Sequence, residues 1–109
     1  MKLGRKIGDE AVLRCWSAED HEGVRMTWIK QYNDTFQILI VSLANTTEVK
    51  HLNGTTVMTA GPGGKLQITN AVVADSGKYV CRGYINAPEG GEKLVFSDST
   101  TLIVGSKYI

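Results

Sequence analysis

The sequence predicts an all-β domain, a sandwich or barrel of short strands, on three observations. Strand-like runs recur every eight to twelve residues, parted by Gly, Asn, Asp or Pro, which is the rhythm of such folds. No apolar stripe of useful length at helical spacing competes with them. At 109 residues the chain has the size of one domain, enough to bury a core and too little for two.

The elements follow in chain order. Ala11 to Trp16 alternates and sets Ala11, Leu13 and Cys15 on one face, because successive strand side chains point opposite ways. A polar loop, Ser17 to Gly23, leads to a second strand, Arg25 to Gln31, with Trp28 at its centre. Phe36 to Leu43, Thr47 to Leu52 and Thr55 to Ala60 read as three more, ended by Gly61-Pro62-Gly63-Gly64, a turn by composition. Lys65 to Asn70 puts Leu66 and Ile68 on one face. After a corner from Ala71 to Gly77, Lys78 to Tyr84 points Tyr79 and Cys81 inward. A loop from Ile85 to Leu94, rich in Pro, Glu and Gly, precedes a last strand at about Phe96 to Val104. The single domain thus fills 1–109, with its core at about 8–104 and flanks at 1–5 and 106–109.

Composition excludes several function classes. Lys and Arg number 12 against 11 Asp and Glu, and no window gathers one sign, so nucleic acid is not an expected partner. The longest apolar run, Ile38 to Val41, falls far short of the roughly 20 residues that span a bilayer, so the chain is not expected to insert in a membrane. Met1 is followed by Lys2, Leu3, Gly4 and Arg5 with no apolar stretch. That is no secretory signal as it stands, and a signal peptide or anchor is expected to lie outside this chain. Cys15 and Cys81 are the whole thiol inventory, and their spacing excludes CxxC redox or zinc chemistry.

Cys15, Trp28 thirteen residues later, and Asp75-Ser76-Gly77-Lys78-Tyr79-Val80-Cys81 resemble the immunoglobulin superfamily pattern of cysteine, tryptophan and D-x-G-x-Y-x-C, over about Gly8 to Val104. The resemblance implies a two-sheet Greek-key sandwich with a Cys15–Cys81 disulfide, and the Trp28 indole packed on it. Closing so long a loop stabilises by about 4 kcal/mol on the chain-entropy argument. Tyr79 is expected to turn its hydroxyl back to backbone near Asp75. In the family that aspartate often pairs with an arginine, but none stands between Lys30 and Arg82. Lys50, His51 or no residue is left for the role. Trp28-Ile29-Lys30-Gln31 resembles the V-set W-x-x-Q, and the 52 residues between Trp28 and Cys81 leave room for two extra strands, C′ and C″. A V-set domain is therefore expected ahead of an I-set one. Val95-Phe96-Ser97-Asp98-Ser99 stands where antibody variable domains carry a G-x-G bulge, which points to an adhesion or receptor protein.

If Trp28 and Cys81 face inward, then Thr27, Ile29, Gln31, Val80, Arg82 and Tyr84 face outward from the same sheet, the GFCC′ face in the family's lettering. Either register of the following strand adds apolar groups, Ile38 and Ile40 among them, unless the strand is bulged. An exposed apolar patch with an Arg and a Tyr is a protein-binding signature. The alternative is scattered surface hydrophobes, or a face lying under an adjacent domain. The loop from Ile85 to Leu94 reads either as an adaptable contact or as an ordinary long hairpin. Asn33, Asn45 and Asn53 each head an N-x-Thr sequon, which fits a glycoprotein on the secretory route.

His21 and His51 have no ligand-spaced companions, and no nucleophile elbow, paired-carboxylate or phosphate-cradling motif is present. No catalytic residue, metal or cofactor is expected. The resulting expectation is an extracellular or cell-surface module that binds a protein, either another molecule or a second copy of itself in a homodimer. A spacer domain without its own ligand is the competing reading.

Overall fold

The computed structural model describes residues 2–15, 24–32, 35–43, 48–51, 57–60 and 64–105, and between 32 and 63 the backbone alone. Nine strands lie among them: β1 Lys2–Lys6, β2 Ala11–Leu13, β3 Arg25–Tyr32, β4 Thr35–Leu43, β5 Glu48–His51, β6 Val57–Ala60, β7 Leu66–Thr69, β8 Gly77–Asn86 and β9 Glu92–Gly105. One 3-10 turn, Val73–Asp75, stands before β8.

The strands form two sheets, ordered β1-β9-β8-β3-β4 and β2-β7-β6-β5. Period-two alternation explains how the sheets pack. On β2 and β7, Ala11, Leu13, Leu66 and Ile68 are buried, and register pairs Ala11 with Ile68 and Leu13 with Leu66. Met26, Trp28, Tyr79, Cys81, Phe96, Leu102 and Val104 join them in one core cluster. Complete burial of side chains this size stabilises by about 1.5–3 kcal/mol each. Cys15 and Cys81 are disulfide-bonded across the sandwich with Cα atoms 6.1 Å apart, and Trp28 sits directly across from Cys81 in the register.

Several details differ from the sequence expectations. Lys2 to Arg5 is no flank: β1 pairs parallel with β9, Leu3 opposite Leu102 and Arg5 opposite Val104. Both extra strands are present, but they divide between the sheets, β4 at the edge of the five-stranded one and β5 beside β6 in the other. The β8–β9 hairpin is longer than expected, running to Asn86 and resuming at Glu92. Its turn is fixed by Gly90 N–H donating to the Ala87 carbonyl and Ala87 N–H donating to that of Gly91, each at 3.0 Å, with Pro88 pre-setting φ inside it. A register shift between Gly83 and Tyr84 leaves Val95 as an extra residue on β9. A bulge is therefore present on that strand without a G-x-G sequence.

Candidate functional site

The five-stranded sheet has two faces, and the register of β3 on β8 assigns them. Met26–Gly83, Trp28–Cys81 and Lys30–Tyr79 form the core-side rungs. Arg25–Tyr84, Thr27–Arg82, Ile29–Val80 and Gln31–Lys78 form the outer ones. On β9 the outer ladder continues through Leu94, Ser97, Ser99 and Thr101.

The outer face is not the exposed apolar patch expected from the alternation. Thr27, Ile29 and Val80 are only 5%, 5% and 7% exposed, although Ile29 and Val80 stand outside the core cluster. β3 and β8 are interior strands, so each outward side chain has cross-strand neighbours on both sides at about 5 Å. Long half-buried residues, Gln31, Arg82 and Tyr84, surround short ones. The apolar pair forms a floor inside a polar ring that continues into exposed Ser97, Ser99 and Lys78. Thr27 Oγ1 is buried in that floor and finds no hydrogen-bond partner among the described residues.

Ile38 and Ile40 do not share a register. A bulge between Trp28 and Ile29 sets Ile38 across from outward Ile29 and Ile40 across from core-facing Trp28. Ile38 keeps a place on the outer register and Ile40 loses it. Asn33, Asn45 and Asn53 lie outside the described residues, as does His21; His51 ends β5, opposite Val57.

At the hairpin end of the face, charge holds the ribbon in place. Arg25 donates from Nε and Nη2 to the two carboxylate oxygens of Glu92, both at 2.6 Å, and its guanidinium lies 4.8 Å from the Tyr84 ring centroid. The hydrogen bond from Arg25 holds the Glu92 carboxyl below the usual glutamate range, and Glu92 in turn raises the Arg25 pKa. Beyond this clamp Ile85 and Leu94 are 41% and 49% exposed, and Leu94 pairs with Tyr84. The turn presents these side chains on a hydrogen-bonded ribbon, the long hairpin that was one of the two readings of its composition.

The opposite end of the face is braced by the corner before β8. Tyr79 donates its hydroxyl to the Asp75 carbonyl in a short hydrogen bond, and Asp75 Oδ2 accepts the Val72 N–H at 2.8 Å. Lys50 and His51, the expected candidates to pair with Asp75, have side chains outside the described residues, and Lys30 reaches the backbone of this corner. Its ammonium donates to the Ala74 carbonyl at 2.6 Å and stands 5.5 Å from the Tyr79 ring centroid, while its stem is buried. The signal was available, since Lys30 shares the parity of Met26 and Trp28 on β3 and long cationic side chains bury their stems readily. Gly77, at φ +151°, lets the chain pass this stem: a Cβ there would lie 3.0 Å from Lys30 Cε.

Asp98 brings a carboxylate oxygen to 4.0 Å from Cys15 Sγ. The two sulfurs beside it are bonded to each other, so this cluster is a disulfide with an acidic neighbour and not a thiolate ligand set. No helix among the described residues is long and apolar enough to cross a membrane.

These features match known proteins at the level of the fold. No curated protein sequence matches the chain. Among solved structures, murine CRIg is similar, with a TM-score of 0.59 and 15% identity over 94% of this chain and 91% of that one. The family model for the immunoglobulin V-set domain matches residues 5–104. With the sheet order, the cross-sheet disulfide and the Tyr79 corner already in place, the chain belongs to the immunoglobulin V-set domain family.

Proposed function

We propose that this domain is an extracellular recognition module that binds a protein through the outer face of β4, β3, β8 and β9. One observation carries the reading: the apolar floor of Ile29 and Val80 lies inside a ring that includes Arg82 and Tyr84 and opens onto Leu94. An apolar centre with a polar rim is the anatomy of a protein interface, and Arg and Tyr are the residue types that most often dominate its energy. V-set membership and the buried disulfide support a cell-surface setting. A second copy of the chain is the first partner to test, because the face carries both Arg82 and exposed polar groups that a self-complementary contact uses.

Sedimentation equilibrium of the oxidised domain, beside Ser99→Arg and Arg82→Glu variants, makes the test. Both positions lie outside the buried floor, and an unchanged urea midpoint certifies the fold of each variant. Dimerisation that is lost in both variants supports a homophilic face. If the parent stays monomeric, multimerised domain is applied to cell surfaces instead. Staining that the two variants retain in full removes this face as the binding site.

A further inference from the structure

We propose a second docking site, on the opposite flank of the sandwich from β4, that accepts an extended acidic peptide as an added strand along β2. β1 and β2 are the edge strands of the two sheets on that flank, and a groove of about 520 Å³ runs between them. Its floor is apolar, from Leu3, Val12 and Leu13, and its walls carry Arg5, Arg14 and Lys65, with no acidic residue in the lining.

Two independent features select the occupant. Among the described residues β2 is paired on one side only, with β7, so the backbone groups on its other edge offer a short template for another strand. A strand laid there turns one set of alternate side chains inward over Leu3 and the other outward beside Val12 and Arg14, which is the β-augmentation mode: backbone bonds supply affinity and alternate side chains supply selectivity. The cations decide the sign. A second copy added edge to edge would bring Arg5, Arg14 and Lys65 against their own counterparts, which like-charge repulsion disfavours. An acidic segment meets the same three charges favourably and is steered to them over distances of about a Debye length. An anionic polysaccharide would use the charges but neither the apolar floor nor the open backbone edge, so the peptide uses more of the site.

The test titrates labelled domain, followed by amide resonances and hydrogen exchange, with three probes. These are a capped peptide alternating glutamate with valine, the same peptide with lysine for glutamate, and a heparin oligosaccharide. The expected result is saturable shifts at Leu3, Val12, Leu13 and Arg14 with slowed exchange along β2 for the acidic peptide only. Affinity should fall at least tenfold in an Arg14→Glu, Lys65→Glu variant, and also near 1 M salt, where the Debye length is about 3 Å. Arg14 and Lys65 are exposed, and unchanged resonances away from the groove certify the variant's fold. Equal binding of both peptides, no shift at millimolar peptide, or heparin binding there without slowed exchange on β2 each overturns the proposal. Arg82→Glu on the outer face leaves this binding intact, so the two surfaces fail or stand separately.

Discussion

Gly83 is where one side chain decides how β8 and β9 meet. A Cβ placed there would lie 2.1 Å from the Phe96 ring, and Phe96 is buried across the register from it. The ring therefore fills the space a side chain on β8 would occupy, as aromatic residues do opposite strand glycines. Gly83→Ala should destabilise by about 1–3 kcal/mol through overpacking, read as a lower urea midpoint, and combining it with Phe96→Leu should recover part of the loss through coupling between contacting sites. Strict additivity would show that the ring does not rest on this glycine. At the corner, Tyr79→Phe keeps the ring beneath Lys30 but leaves the Asp75 carbonyl without its hydroxyl donor. It should cost about 1–3 kcal/mol, and an unchanged midpoint would contradict the assigned bond. Tyr79, Asp75 and the two cysteines were legible because D-x-G-x-Y-x-C reports a local geometry. Gly83 was not, since the bulge on β9 decides which residue lies across from it, and for Lys30 the parity gave its direction but not the Ala74 carbonyl it meets, 44 residues on.

At the scale of elements, alternation located the interior strands well and failed at the edges. Ala11, Leu13, Leu66 and Ile68 read as inward because one face of each strand is fully apolar, and all four are buried. Lys2-Leu3-Gly4-Arg5 offers a single large apolar residue, so a strand held by backbone pairing to β9 looked like a flank. The hairpin was shortened for the same reason: Asn86, Glu92 and Lys93 are polar, and the ribbon there is held by its turn and by Arg25. That clamp predicts a pH dependence. The folded-state pKa of Glu92 is depressed by its hydrogen bonds from Arg25, so the clamp's contribution is complete above the unfolded value of about 4.3 and is lost as pH falls through the lower folded value. Both partners are exposed to solvent, so the effect is local and screened by salt. The Arg25 Nε–H resonance should move on acidification below about pH 4, together with the Tyr84 ring signals. In Glu92→Gln both should stay still over that range; movement that persists in the variant would assign the titration to another group.

The whole molecule is two twisted sheets with a thin core, and its largest single constraint is the bond between Cys15 and Cys81, 66 residues apart in sequence. Closing a loop of that length removes chain entropy from the unfolded state worth about 4 kcal/mol, against a total stability of about 5–15 kcal/mol for a domain of this kind. Resemblance in the sequence carried this much, because cysteine, tryptophan and the tyrosine corner together specify which sheets face each other. The division of β4 and β5 between sheets was beyond reach, since the Asn, Gly and Thr residues at 45–47 and 53–56 set no register. Replacing both cysteines by alanine should lower the unfolding free energy by about 4 kcal/mol and raise the urea m-value, because the released chain exposes more surface when unfolded. A loss of that size with a larger m-value assigns the stabilisation to the unfolded ensemble. The same loss with an unchanged m-value assigns it to the cavity left beside Trp28, where both sulfurs are fully buried. Gly83→Ala, which acts on packing alone, supplies the reference: it should shift the midpoint and leave m as it is.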